Sequence, residues 1–117
     1  MKVAVYGSLR QGMHNHHLLE KESFLGKEVV YGFKMYNLGS FPACVPEKTK
    51  SMIVTEIYDV SDKTFDNLDR LEGYPNFYDR TSIITKFGLA WIYYLHNPMH
   101  KNSLVECGDW VKYKEQL

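Results

Sequence analysis

The run Arg80-Thr81-Ser82-Ile83-Ile84-Thr85-Lys86-Phe87-Gly88-Leu89-Ala90-Trp91-Ile92-Tyr93-Tyr94-Leu95-His96 reads as two β-rich segments, Arg80 to Lys86 and Leu89 to His96, joined around Phe87-Gly88. β-Branched and aromatic residues suit a pleated, half-buried surface, and a glycine between two such runs supplies a hairpin turn. A hairpin makes its strands antiparallel neighbours. Working outward, Met52 to Tyr58 has the same character, and Lys2 to Tyr6 is a valine-rich first strand ended by Gly7. Phe24 to Leu38 has strand character interrupted by Gly26 and Gly32, which predicts a bulged or strongly bent ribbon. Gly39 to Pro46 is expected to be a loop, because two prolines and a glycine exclude a central strand. A short helix is expected around His16 to Glu20. The tail beyond Asn97 is weakly patterned, although Trp110 should pack against something.

There are no internal repeats, low-complexity tracts or linkers, so residues 1–117 are expected to form a single domain. The fold class expected is α+β. A short chain with several strands protects its edges by curling, which predicts a small mixed, mostly antiparallel β-barrel or half-barrel with a few short flanking helices.

Composition narrows the function classes. Fourteen basic and fourteen acidic residues cancel, so no basic field is available to attract a polyanion, and nucleic acid is not an expected partner. Two cysteines, Cys44 and Cys107, lie far apart without a CxxC unit, which favours a reduced, cytoplasmic setting over a disulfide scaffold. The N-terminal run reaches Gly7 too soon for a signal peptide, and no apolar stretch is long enough to span a bilayer, so no membrane association is expected. Nothing in the chain addresses the oligomeric state.

The segment Ser61-Asp62-Lys63-Thr64-Phe65-Asp66-Asn67-Leu68-Asp69-Arg70-Leu71-Glu72-Gly73 carries the signals of a helix over Asp62 to Glu72. Ser61 or Asp62 can cap its N-terminus, Gly73 is a natural C′ residue, and Pro75 blocks continuation. Phe65, Leu68 and Leu71 form the apolar stripe. Glu72 follows Phe65 by seven residues and Leu68 by four, which puts a carboxylate on that stripe and at the negative end of the helix dipole. Both placements disfavour the anion and raise its proton affinity. Glu72 is thus either a structural residue, paired with an arginine such as Arg80 or frayed outward, or a functional acid that breaks two local rules.

Tyr6-Gly7-Ser8-Leu9-Arg10-Gln11-Gly12 follows the first strand. Ser8 lacks the Gly-x-Ser-x-Gly elbow, and no Gly-Lys-Ser/Thr follows, so neither a hydrolase nucleophile nor a phosphate loop is indicated. The loop is either an ordinary strand-to-helix turn or a group of accessible backbone N–H donors able to hold a carboxylate or polarise a carbonyl. His14, His16 and His17 have no carboxylate or cysteine at a recognised ligand spacing, so no metal site is expected. Cys44, between Ala43 and Val45, reads as a small buried apolar residue.

These pieces, in this order and spacing, resemble the γ-glutamylcyclotransferase-like family, including its γ-glutamylamine cyclotransferase and AIG2-like branches. The resemblance rests on Tyr6-Gly7-Ser8-Leu9-Arg10 with Gly12 and Asn15-His16, Leu38-Gly39-Ser40-Phe41-Pro42-Ala43, and Glu56-Ile57-Tyr58. It continues through Leu68-Asp69-x-x-Glu72-Gly73-x-Pro75-x-x-Tyr78-x-Arg80, Ala90-Trp91-Ile92-Tyr93-Tyr94 and Gly108-Asp109-Trp110. Thr55 departs from the pattern, standing where a glycine is usual. The resemblance implies a compact mixed fold around a small β-barrel with a cleft at one end. It also implies Glu72 as general acid/base, a substrate-binding loop of Tyr6, Gly7, Ser8 and Leu9, and Tyr78 lining the cleft.

The reaction so implied is cofactor-independent: the α-amine of a small γ-glutamyl compound attacks its own γ-carbonyl and 5-oxoproline is released. A substrate that supplies its own nucleophile also accounts for the lack of a nucleophilic triad. The competing class is an AIG2-like binding protein that holds a γ-glutamyl or related ligand without turnover. The wall that selects the leaving group is expected from Leu38 to Pro46 and from the tail.

Overall fold

The computed structural model describes residues 1–48, 50–97 and 103–117. Its strands are β1 (Lys2–Val5), β2 (Ser23–Tyr31), β3 (Phe33–Asn37), β4 (Pro42–Pro46), β5 (Met52–Asp59), β6 (Asp79–Thr85) and β7 (Gly88–Tyr94). Helix α1 spans Asp62–Glu72, α2 spans Trp110–Glu115, and a single 3₁₀ turn covers His16–Leu19.

The larger sheet has the order β2-β5-β1-β7-β6, antiparallel except where β1 runs parallel to β7. β1 is central and is buried on both sides. Its period of two sends Val3 and Val5 to one apolar cluster and Ala4 and Tyr6 to the other, which is why the run is apolar without alternation. Phe65 and Leu68 of α1 pack into the first cluster and Trp110 of α2 into the second.

The hairpin turn is Lys86-Phe87, with Thr85 paired to Gly88, so it lies one residue earlier than the Phe87-Gly88 expected from the sequence, and Gly88 opens β7 at φ 102°. The expected bent ribbon divides into β2 and β3. Its register shifts between Phe24 and Gly26, and the chain turns out of the sheet at Gly32, whose φ of 89° suits glycine.

Three expectations need correction. The sheet is not closed as a barrel: β2 and β6 remain its edges, and β3 pairs with β4 in a separate two-stranded ribbon, which Leu104 joins by a single antiparallel bridge to Tyr36. Side-chain and loop bonds cross that seam instead of a ladder. The Tyr6 hydroxyl donates to the Tyr93 carbonyl at 2.7 Å and accepts from the Cys44 N–H at 3.2 Å, while the Leu95 N–H donates to the Cys44 carbonyl at 2.9 Å. Second, Pro42 to Pro46 is a strand, because both prolines fall at its ends, opposite Asn37 and Phe33, in a ribbon with no further ladder to lose. Third, the tail contains helix α2, capped by the Asp109 side chain accepting from the Lys112 N–H at 3.2 Å. Trp110 is only 1% exposed, as its size led one to expect.

Candidate active site

Helix α1 delivers Glu72. The Ser61 side chain, rather than Asp62, accepts from the Thr64 N–H and starts the helix, and Gly73 ends it at φ 64° with its N–H on the Arg70 and Asp69 carbonyls. Phe65 and Leu68 are buried, while Leu71 is 41% exposed at the cleft rim, so the stripe points Glu72 toward the interior beside the sheet. The end of the helix is held by Asp69, which receives the Arg80 guanidinium at 3.0 and 3.3 Å and the Tyr93 hydroxyl at 2.6 Å. Arg80 lies against the rings of Tyr74, Trp91 and Phe65 at 4.1, 4.5 and 4.8 Å. Arg80 is therefore committed to Asp69 and does not pair with Glu72.

The Glu72 carboxylate makes no hydrogen bond or ion pair among the described residues. Loss of water around it pushes its carboxyl up to about 7 from an ordinary value of 4.5. Tyr6 and Tyr78 feel the same environment: burial first, then neighbouring groups that include the Glu72 charge, holds both phenols well above their ordinary range. They remain neutral donors fixed on backbone oxygens, Tyr6 on Tyr93 and Tyr78 on Pro42 at 2.7 Å.

The loop after β1 lines the same cleft. Its turns close through Arg10 N–H to Gly7 carbonyl at 3.0 Å and Met13 N–H to Arg10 carbonyl at 3.0 Å. Asn15 clamps Ser8 twice, through its N–H to the Ser8 carbonyl and its side-chain amide to Ser8 Oγ, both at 2.9 Å. Beneath the loop, Arg10 is 2% exposed and donates to Glu56 at 2.9 Å and Asp109 at 2.7 Å. Glu56 also accepts from the Gln11 N–H at 3.0 Å and the Tyr58 hydroxyl at 2.9 Å. Among the described residues, the backbone N–H groups of Gly7, Ser8 and Leu9 donate to no other protein group. Gly7 is required by proximity, since a Cβ there would stand 2.6 Å from Pro42 Cγ.

Tyr6, Gly7, Ser8, Leu9, Glu72 and Tyr78 all line one cleft of about 290 Å³. Ala4, Val5, His14, Asn15, Phe41, Pro42, Leu71, Phe77 and Tyr93 complete it. Pro42 and Phe41 were expected on its wall as part of the Leu38-to-Pro46 segment. Among the described tail residues, 103–117, none lines it: Asp109 bonds to Arg10, and Trp110 belongs to the second apolar cluster. Tyr93 was legible only as part of a late strand, and Phe77 carried no signal, because its position depends on how the chain turns after Pro75. Of the histidines, His14 reaches the cleft while His16 is tied to the Leu9 carbonyl at 2.9 Å. No group of three or more His, Cys, Asp or Glu positioned to hold a metal occurs among the described residues. No helix there is long and apolar enough to cross a membrane. Cys44 is buried, and that burial keeps its thiol protonated.

A carboxyl balanced near neutrality can both accept and return a proton, and the free N–H groups of the loop can hold an anionic oxygen. Residues 3–112 match the family model described as gamma-glutamyl cyclotransferase, AIG2-like. A candidate gamma-glutamylcyclotransferase of Vibrio cholerae is 38% identical over 111 residues, covering 94% of this chain and 95% of its own. The gamma-glutamylcyclotransferase family protein YtfP of Escherichia coli has a solution structure that superposes with a TM-score of 0.76 at 33% identity, over 97% of this chain and 99% of that one. An uncharacterised protein from Pyrococcus horikoshii superposes with a TM-score of 0.86 at 27% identity, over 99% and 94% of the two chains.

Proposed function

Because the chain belongs to the gamma-glutamyl cyclotransferase, AIG2-like family, we propose that it releases 5-oxoproline from a small γ-glutamyl compound with Glu72 as general acid/base. The observation that carries this reading is the partly buried Glu72 carboxylate, without a partner among the described residues and pushed up to about 7, in the same cleft as Gly7, Ser8 and Leu9, whose backbone N–H groups donate to no other described group. An acid kept without a partner at that cost has little structural use.

The Glu72 carboxylate takes a proton from the substrate α-ammonium, and the neutral amine attacks the γ-carbonyl carbon. The new C–N bond closes the five-membered ring and leaves an oxyanion. Glu72 hands its proton to the departing nitrogen, the old C–N bond breaks, and the carbonyl re-forms. The second proton on the ring nitrogen leaves through the same carboxylate and reaches the released amine, so Glu72 ends as it began. An amino group near pKa ~8 is far better matched by a carboxyl near 7 than by an ordinary one. The N–H groups of Gly7, Ser8 and Leu9 hold the substrate carboxylate or the developing oxyanion, and Tyr6 and Tyr78 form an apolar floor whose hydroxyls are already engaged. The cleft keeps the glutamyl chain bent, a proximity effect that calls for no cofactor.

The test is 5-oxoproline release by Glu72→Gln over a panel of γ-glutamyl compounds. The variant should keep the native circular dichroism spectrum and lose turnover. A folded variant with full activity removes Glu72 from the chemistry.

A further inference from the structure

The cleft has an apolar rim that the chemistry above does not use. Phe41, Leu71 and Phe77 line it and are 36%, 41% and 44% exposed. They arrive from three separate places: the turn before β4, the last turn of α1, and the segment between α1 and β6. Phe41 and Phe77 meet edge to face with centroids 6.2 Å apart, and Phe77 is braced by Tyr78 at 4.9 Å. Gly73 makes the room, since a Cβ there would stand 3.1 Å from Phe77 Cβ. Three large apolar side chains converging at the mouth of a cleft form a contiguous surface that gains by being covered.

Charge narrows what covers it. Among the described residues, the lining holds one carboxylate, Glu72, one imidazole, His14, and neither lysine nor arginine. Arg10 is consumed by Glu56 and Asp109, and Arg80 by Asp69. Among the described residues, a leaving amine with its own carboxylate finds no fixed cation here. One with a second ammonium finds no carboxylate beyond Glu72. Drawing either charge out of water without a partner is costly.

We infer that the preferred substrates are γ-glutamyl amides of uncharged, apolar amines, whose hydrocarbon or aromatic group packs on Phe41, Leu71 and Phe77; this rests on the cyclotransferase reading. The bonds made and broken are those already given, with the apolar amine as the group released.

The experiment compares kcat/KM for γ-glutamyl phenethylamide, γ-glutamyl methylamide, γ-glutamylglycine and γ-glutamyl-ε-lysine in the wild type, Phe77→Ala and Leu71→Arg. The phenethylamide should exceed the methylamide by on the order of tenfold or more, as apolar subsites do for several added carbons, and should exceed both charged compounds. Phe77→Ala should reduce the phenethylamide-to-methylamide ratio severalfold. Leu71→Arg should raise γ-glutamylglycine relative to the phenethylamide by supplying the missing cation. Equal values across the panel, or a ratio that Phe77→Ala leaves alone, overturn the role of the rim and leave the cyclotransferase reading standing. A dimer that Phe77→Ala dissociates, with selectivity unchanged, assigns the rim to a second copy and also overturns it. If no member yields 5-oxoproline, the cyclotransferase reading falls. The rim is then judged by calorimetric binding of γ-glutamyl phenethylamide, which Phe77→Ala weakens if the rim holds the ring and leaves unchanged if it does not.

Discussion

Replacing Glu72 by Gln should make the protein more stable at alkaline pH, by an amount that depends on pH in a defined direction. The carboxyl titrates near 4.5 when free and is pushed up to about 7 by burial in the folded chain. Between those values the folded state holds the proton while the unfolded state has lost it. Folded stability therefore falls as pH rises through that window, and the full cost is reached once Glu72 is ionised in both states. Each tenfold in proton affinity is worth ~1.36 kcal/mol, which sets a ceiling of about 3 kcal/mol. The side chain is only partly covered and the cleft opens to solvent, so water screens part of this and about 1–2 kcal/mol is expected. Gln has almost the same shape and never charges. Urea unfolding of both proteins at about pH 5 and about pH 8 isolates the effect, because every other titrating group is shared. The stability of the variant relative to wild type should rise by about 1–2 kcal/mol across that interval. A difference that stays constant, or that shrinks, would refute the reasoning, since a shrinking difference means that an undetected partner stabilises the carboxylate.

The rising limb of kcat/KM against pH should be centred near 7 rather than near 4.5, as the base must be ionised to accept the ammonium proton; a limb near 4.5 contradicts the burial of Glu72. Arg10→Ala leaves Glu56, 2% exposed, without its cation, and should cost about 3–5 kcal/mol in chemical denaturation. Gly7→Ala forces a methyl to within 2.6 Å of the Pro42 ring, and should lower stability by about 1–3 kcal/mol in thermal unfolding and raise KM by displacing the loop.

Much of the site was legible because its signals are local. A cap at Ser61 or Asp62, the end of α1 at Gly73 and the intrusion of Glu72 on the face of Phe65 and Leu68 follow from local signals and helical spacing; the structure chose Ser61 as the cap. The loop from Gly7 to Leu9 announced itself as small residues after a strand. β4 was misread because two prolines argue against a strand only where a ladder must continue, and here they flank one. The open seam was missed for a related reason. Closure of a barrel depends on whether the two edges, β2 and β6, find each other; they do not, and the β3-β4 ribbon is tied to the sheet through Cys44, which bonds to the Tyr6 hydroxyl and the Leu95 N–H.

What the sequence by itself determined is helix α1, most of the large sheet's strands, the family, and the presence of an acid where a stable helix would not place one. Those features depend on spacing within one segment, or on order along the chain. Only the tertiary structure decided that Arg80 is committed to Asp69, leaving Glu72 without a partner among the described residues. It also decided that Pro42 closes on Gly7 and that Phe41, Leu71 and Phe77 meet at one mouth. A carboxylate's proton affinity and a cleft's selectivity are set by whatever surrounds them in space, and those neighbours come from segments that no local rule connects.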